Sequence, residues 1–208
     1  MNNSTICCFY DLKRPFLGNC HGLHRVAEEV RAAFPEIDQL ISNTKKVFVK
    51  APSRIKKFKE LCADLPLPPQ PILTRWGTWI YYSNNFDAVK AVINSLETED
   101  AASIRISQEL FNKQGIAHQL ANIQCNFSIL PKAITKLESQ GLTLSQSLDV
   151  LAEVKAAISN SGGQIGQKIQ SKLEFVLRNN PGLSKMKEIA KVQNGEEAEM
   201  EVMSHRNS

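Results

Sequence analysis

The feature that most constrains the fold of this chain is a run of apolar residues spaced alternately four and three positions apart. The run has seven members: Ile116, Leu120, Ile123, Phe127, Leu130, Ile134 and Leu137. This spacing puts all seven side chains on one face of an α-helix, as in a heptad repeat. In a β-strand, whose side chains alternate, they would point to both faces. We call these seven residues the seam, and Pro131 within it predicts a kink or a restart of the helix.

Shorter stripes of the same kind recur along most of the chain, and no stretch of useful length alternates apolar and polar residues as a half-buried strand does. Helix boundaries are marked locally. Thr143 with Gln146 three positions later is a capping box, and Asn180-Pro181 predicts an N-cap followed by a first-turn proline. We therefore predict an all-α protein, an irregular bundle or array of about eight to ten helices.

The helical pattern begins and ends within the chain. Residues 20–194 are predicted to form one helical domain. Residues 1–19 lack periodicity, and Pro15 and Gly18 interrupt them, so we expect this N-terminus to be poorly ordered. Residues 195–208 are acidic and poor in apolar side chains, which predicts a disordered tail.

The composition excludes several classes of protein. No run approaches about 18 apolar residues, and no secretory signal precedes the helical region, so we predict no membrane partner and a cytoplasmic or nuclear protein. The five cysteines are odd in number and unevenly spaced, unlike a disulfide framework. Cys20, His21 and His24 have no second Cys or His pair at a matching distance, and so no metal site is predicted.

The stretch Leu65–Trp79, LPLPPQPILTRWGTW, is the most specialised in the chain. Four of the nine prolines lie between Pro66 and Pro71 and predict a stiff, extended connector. The connector would deliver Arg75 and Trp76 to the start of the next helix. Two interpretations stay open: the tryptophans are core anchors, or the Arg-Trp pair is a binding element.

A second candidate binding element is a run of cations that contains no acid. Its members are Lys45, Lys46, Lys50, Arg54, Lys56, Lys57 and Lys59, and we call them the basic block. The block could neutralise phosphates, or it could be the solvated face of a helix. A proline break at Pro52 divides it between two predicted helices, with Arg54, Lys56, Lys57 and Lys59 directed mainly outward.

No local pattern indicates catalysis. The chain lacks a phosphate-binding glycine loop, a His-Glu-x-x-His helix, a Gly-x-Ser-x-Gly elbow and a spaced carboxylate cluster. We predict no cofactor and no small-molecule substrate.

Three segments, HGLHRVAEEVR from His21, FPEIDQLISNTKKVFVKAPSR from Phe34 and LPLPPQPILTRWGTW from Leu65, resemble the central region of hAT-superfamily transposases. The resemblance is to the transposon-derived group related to the CGG-triplet-repeat-binding proteins. The later segments NF, LE, KL and NNPGL also resemble that group, so the resemblance covers roughly His21 to Gly195. It is specific in the Arg-Trp segment and weaker further on.

The resemblance implies a helical domain inserted into an RNase H-like core, in which two aspartates and a glutamate hold metal ions. In that family a Cys-x-x-His motif opens the insertion, and an Arg-Trp motif places a tryptophan beside the broken DNA end. His21 matches the family histidine, and Arg75 and Trp76 match the Arg-Trp pair. Gly18 stands where the family cysteine would be, so the Cys-His pair is not reproduced.

The strands that carry the family's catalytic carboxylates would lie before residue 20 and after residue 195. We therefore expect a non-catalytic, nuclear remnant of a transposase that binds hairpin or distorted DNA ends through Arg75, Trp76 and the basic block, and that could self-associate. The alternative is a helical protein-interaction scaffold that uses an exposed part of the seam. A third hypothesis is a chain without function.

Overall fold

The computed structural model describes residues 20–69, 76–193 and 195, with residues 76 and 77 described by their backbone alone. The two ends that were predicted to be disordered therefore lie almost entirely outside the described residues. Arg75 and the end of the proline connector also lie outside the described residues. The described part of the proline connector, residues 65–69, contains no helix.

The described residues form eleven α-helices, one short 3-10 turn at Thr98–Asp100 and no strand, which confirms the all-α prediction. The helices are α1 (20–33), α2 (Pro35–Phe48), α3 (Pro52–Leu61), α4 (Trp76–Asn84), α5 (Phe86–Asn94), α6 (Ala102–Asn112), α7 (Ile116–Phe127), α8 (Ile129–Glu138), α9 (Leu144–Ser159), α10 (Gly163–Arg178) and α11 (Pro181–Gln193).

The predicted count of eight to ten helices is too low because the seam spans two helices. The break falls at Ser128, between α7 and α8, and not at Pro131. Pro131 is instead the third residue of α8. A proline in the first turn of a helix loses no internal hydrogen bond, since that N–H has no partner within the helix.

The local boundary signals are confirmed. Thr143 Oγ1 accepts a hydrogen bond from the Gln146 N–H at 3.2 Å, and Gln146 Oε1 accepts one from the Thr143 N–H at 3.0 Å, completing the capping box. Asn180 Oδ1 accepts from the Gly182 N–H at 3.1 Å, directly before α11. Each cap satisfies backbone donors that would otherwise have no partner at a helix start.

All seven seam residues are buried inside this chain. Four helices pack on α7, namely α2, α4, α6 and α9, and both α4 and α9 also pack on α8. Helix α9 packs in addition on α10 and α11, and α2 lies against α6. The prediction that part of the seam is exposed is therefore wrong. The apolar face that a partner could have used is filled by helices of the same chain.

Trp79 is a core residue, 1% exposed, which agrees with the core-anchor interpretation for this one of the two tryptophans. Its ring meets the ring of Phe34 edge to face, with centroids 6.5 Å apart, and Phe34 also packs against Phe127. Phe34 lies between α1 and α2, so these aromatic contacts join the first helices to α4 and α7.

Among the described helices, none is both long enough and apolar enough to cross a bilayer.

Candidate functional site

The basic block is divided by the structure into cations that hold helix ends and cations that do not. Arg54 donates from Nη1 to the Val47 carbonyl at 3.1 Å and from Nη2 to the Asp100 carbonyl at 3.4 Å. Lys57 Nζ donates to the carbonyl of Ser95, the C-cap residue of α5, at 2.5 Å. Carbonyls at a helix C-terminus lack internal partners and carry partial negative charge, so cations there stabilise the fold.

This arrangement corrects the prediction that Arg54 and Lys57 point mainly outward, since both are only partly exposed. These contacts could not be predicted, because a run of cations in a sequence does not indicate which backbone carbonyls will pack beside it. Lys56 is exposed as predicted and lies 3.8 Å from the Glu60 carboxylate one turn later in α3. That pair is worth little in free energy at a solvated surface.

Four members of the block remain without an ion pair or hydrogen bond to any described residue: Lys45, Lys46, Lys50 and Lys59. We call these four the free lysines. Lys46, Lys50 and Lys59 are exposed, and Lys45 is half-buried. Lys45, Lys46 and Lys50 come from the last turn of α2 and the residues just after it.

Lys45 lines a cleft of about 110 Å³ between α2 and α4. The lining residues are Arg31, Asp38, Ile41, Ser42, Lys45, Thr78 and Trp79. Arg31 binds both carboxylate oxygens of Asp38, Nε to Oδ1 at 2.7 Å and Nη2 to Oδ2 at 2.5 Å. Asp38, the one acid among the described lining residues, is thus neutralised, and Lys45 has no anionic partner among the described residues.

The α4 side of the cleft is formed by residues that directly follow Trp76 in the sequence. Thr78 and Trp79, which line it, belong to the first turn of α4 and follow Trp76 by two and three residues. Arg75 and the side chain of Trp76 lie outside the described residues. The fold therefore brings one end of the basic block and the start of α4 to the same cleft, although about thirty residues separate them in sequence.

His21, the residue that matches the family histidine, is exposed on α1 and does not line this cleft. Its helix contributes instead to a cluster that the sequence did not predict. Cys20 Sγ lies 3.4 Å and His24 Nε2 lies 3.2 Å from the same atom, Glu138 Oε1. Glu138 ends α8 and is 114 residues from His24, so no local spacing could have indicated it.

The two cluster residues of α1 differ in their surroundings. Cys20 is buried, and burial, reinforced by its hydrogen bond to Glu138, raises the pKa of the thiol to about 11. Its S–H therefore donates to the carboxylate at neutral pH. The side chains of His24 and Glu138 are 30% and 49% exposed. In the part of the chain that the structure describes, this is the one group of three Cys, His or acidic side chains close enough to hold a metal ion.

Comparisons with protein-family models, with curated proteins and with solved structures found no match for this chain. Its function is therefore inferred from the geometry above and from the sequence resemblance.

Proposed function

We propose that this chain is a non-catalytic, transposase-derived helical domain that binds DNA at the cleft between α2 and α4. The observation that carries the proposal is the meeting of Lys45 with the first turn of α4. Lys45 has no anionic partner among the described residues, and Thr78 and Trp79 continue the helix that Trp76 opens. Cationic and aromatic side chains at one cleft suit a DNA end, where a phosphate and an unpaired base lie close together.

The free lysines would supply the affinity for phosphate. Each Lys–phosphate contact releases condensed counterions, so the logarithm of the binding constant falls with the logarithm of salt concentration by about 0.9 per contact on duplex DNA. Arg54 and Lys57 contribute less, since both are half-buried and each already donates to backbone carbonyls that hold it in place. The relevant part of the basic block is therefore smaller than the sequence predicted.

The first test removes the charge of Lys45 in the cleft and of Lys46 next to it in the sequence, and measures DNA binding by fluorescence anisotropy over a range of salt concentrations. Lys45→Gln/Lys46→Gln should weaken binding and lower the salt slope by about 0.9 for each phosphate that is no longer neutralised. The matched control is Lys185→Gln/Lys187→Gln, which removes two exposed lysines from α11. Equal effects of the two double substitutions would mean that binding reflects only net charge, and the proposed site would be wrong.

The second test concerns the aromatic residue. An aromatic side chain stacked on an unpaired base contributes about 1 to 3 kcal/mol, so Trp76→Ala should weaken binding to hairpin DNA about 5- to 150-fold. Binding to plain duplex should weaken less. Phe175→Ala is the control, because Phe175 on α10 is 55% exposed and distant in sequence from the cleft. Equal weakening on hairpin and duplex would assign Trp76 a packing role only.

The proposal also predicts no strand cleavage. DNA incubated with the chain in Mg²⁺ or Mn²⁺ should stay intact. Cleavage that is abolished by substitution of a carboxylate would contradict the proposal.

The helical scaffold is the rival function, and burial of the seam removes the surface first considered for that scaffold. A stable oligomer with no salt-dependent DNA binding would favour the scaffold.

A further inference from the structure

The cluster of Cys20, His24 and Glu138 has the spacing of a metal coordination shell. Bonds of about 2.0 to 2.3 Å from a tetrahedral zinc ion place neighbouring ligand atoms about 3.3 to 3.8 Å apart. Here Glu138 Oε1 is 3.4 Å from Cys20 Sγ and 3.2 Å from His24 Nε2. All three ligand atoms lie within 4.8 Å of one another, so a small adjustment of the side chains would close the shell.

The backbone already orients these side chains toward one point. Cys20 and His24 are one helical turn apart, so both lie on the same face of α1. Glu138 is the last residue of α8, where the helix dipole disfavours a carboxylate and a bound cation would offset that cost. The site therefore joins the start of the described chain to the end of a helix more than a hundred residues away.

The donor set selects the metal. Thiolate sulfur and imidazole nitrogen favour zinc and related transition metals, whereas Mg²⁺ and Ca²⁺ prefer a full set of oxygen ligands. Zinc binding would release the thiol proton of Cys20 to solvent. The resulting thiolate and the Glu138 carboxylate balance the two charges of Zn²⁺, and the neutral imidazole adds none. We propose that Cys20, His24 and Glu138 bind a zinc ion that clamps α1 to α8, with water as the fourth ligand.

The exposed fractions of His24 and Glu138 support water access to the fourth position. Three protein ligands with one open position are sufficient to hold zinc. The proposed clamp does not rest on the DNA-binding function, because none of its ligands lines the cleft between α2 and α4. The two proposals can therefore fail separately.

The test measures zinc content and Co²⁺ absorption on the full chain in a Cys7→Ser/Cys8→Ser background, which removes the two thiols that precede Cys20 in the sequence. The expected result is one zinc ion per chain and, with Co²⁺, a thiolate-to-metal charge-transfer band. Three single variants should weaken zinc binding by more than about 100-fold: Cys20→Ser, His24→Gln and Glu138→Gln. Even partners outside the coordination shell change metal affinity by about 10- to 100-fold.

His21→Gln and Cys62→Ser are the matched controls, since His21 is an exposed histidine on the same helix and Cys62 a free thiol outside the cluster. Both should retain zinc. His24→Gln and Glu138→Gln change partly exposed side chains, so circular dichroism should show them folded even if Cys20→Ser destabilises the chain. A folded chain that binds no zinc, or whose zinc survives the three ligand variants, would overturn the proposal. So would a loss of zinc in His21→Gln equal to that in His24→Gln.

Discussion

Replacing Lys57 by Met tests whether this member of the basic block is part of the fold. The Lys57 ammonium donates to the Ser95 carbonyl at 2.5 Å, at the C-terminus of α5, and so ties α3 to α5. Met keeps much of the aliphatic length and is a comparably good helix former. The substitution therefore removes the charge and the hydrogen bond while leaving the intrinsic stability of α3 nearly unchanged.

The expected decrease in stability follows from two contributions. A hydrogen bond to a charged group contributes about 1.5 to 3 kcal/mol when buried, and a cation at a helix C-terminus adds about 0.3 to 1 kcal/mol. Lys57 is only partly buried, so solvent competes for both partners and reduces the net contribution to below the sum of these two values. We expect Lys57→Met to lower the free energy of unfolding by about 1 kcal/mol, or the melting temperature by about 2 to 4 °C for a chain of this size.

The control is Lys59→Met, the same substitution two residues later in α3. Lys59 is exposed and has no partner among the described residues, so its replacement should change the free energy of unfolding by less than about 0.5 kcal/mol. Urea unfolding followed by circular dichroism measures both variants, with equal slopes confirming that the midpoint shift reports stability. Equal stability of the two variants would refute the assignment of Lys57 to a helix cap.

Two further predictions concern the packing of α10. A Cβ atom on Gly166 would lie 2.3 Å from the Ser161 carbonyl oxygen, a backbone atom that cannot rotate away. Gly166→Ala should therefore lower the free energy of unfolding, measured in urea, by about 1 to 2 kcal/mol even after the better helix propensity of Ala is included. Gly162→Ala introduces a Cβ with no neighbour within 4 Å, so it should cost only about 0.5 kcal/mol, from the weaker N-cap that Ala makes at the start of α10. An equal cost for both substitutions would contradict the clash. The second prediction concerns the dependence of stability on pH. The hydrogen bond from Lys168 on α10 lowers the pKa of Glu29. The ion pair therefore stabilises the fold fully above the usual glutamate pKa, and this stabilisation is lost as the pH falls through the lowered pKa. Glu29→Gln should therefore lower the urea midpoint near pH 7 more than at about pH 4, and an identical difference at both would exclude the linkage.

The features that could be predicted from the sequence depend on neighbours a few residues apart. Thr143 and Gln146 need only each other to form a capping box, and the structure contains it with both hydrogen bonds. Helix type and most helix ends were predictable for the same reason. The division of the seam at Ser128 was not, because Ser128 itself has helical backbone angles and nothing in its residue type marks a break.

The function of individual cations could not be predicted, since it depends on distant backbone. Lys57 and Lys59 are chemically identical neighbours in one helix, yet only Lys57 meets the end of α5. Likewise, Lys45 could not be assigned to a cleft with Trp79 until α2 and α4 were placed side by side. A run of charges predicts an electrostatic surface, and the packing decides how much of that surface is free.

The seam shows the same limit for apolar residues. A spacing of four and three residues specifies which side chains share a helix face. It does not specify whether that face packs against a partner chain or against another helix of the same chain. Here α4 and α9 cover it, and α4 is positioned through the contact of Trp79 with Phe34. Because Trp79 and Lys45 line one cleft, the packing that removes the seam as a docking surface also forms the proposed DNA site. The DNA-binding proposal therefore depends on the aromatic core: a substitution that loosens α4 from α7 should weaken both stability and hairpin binding.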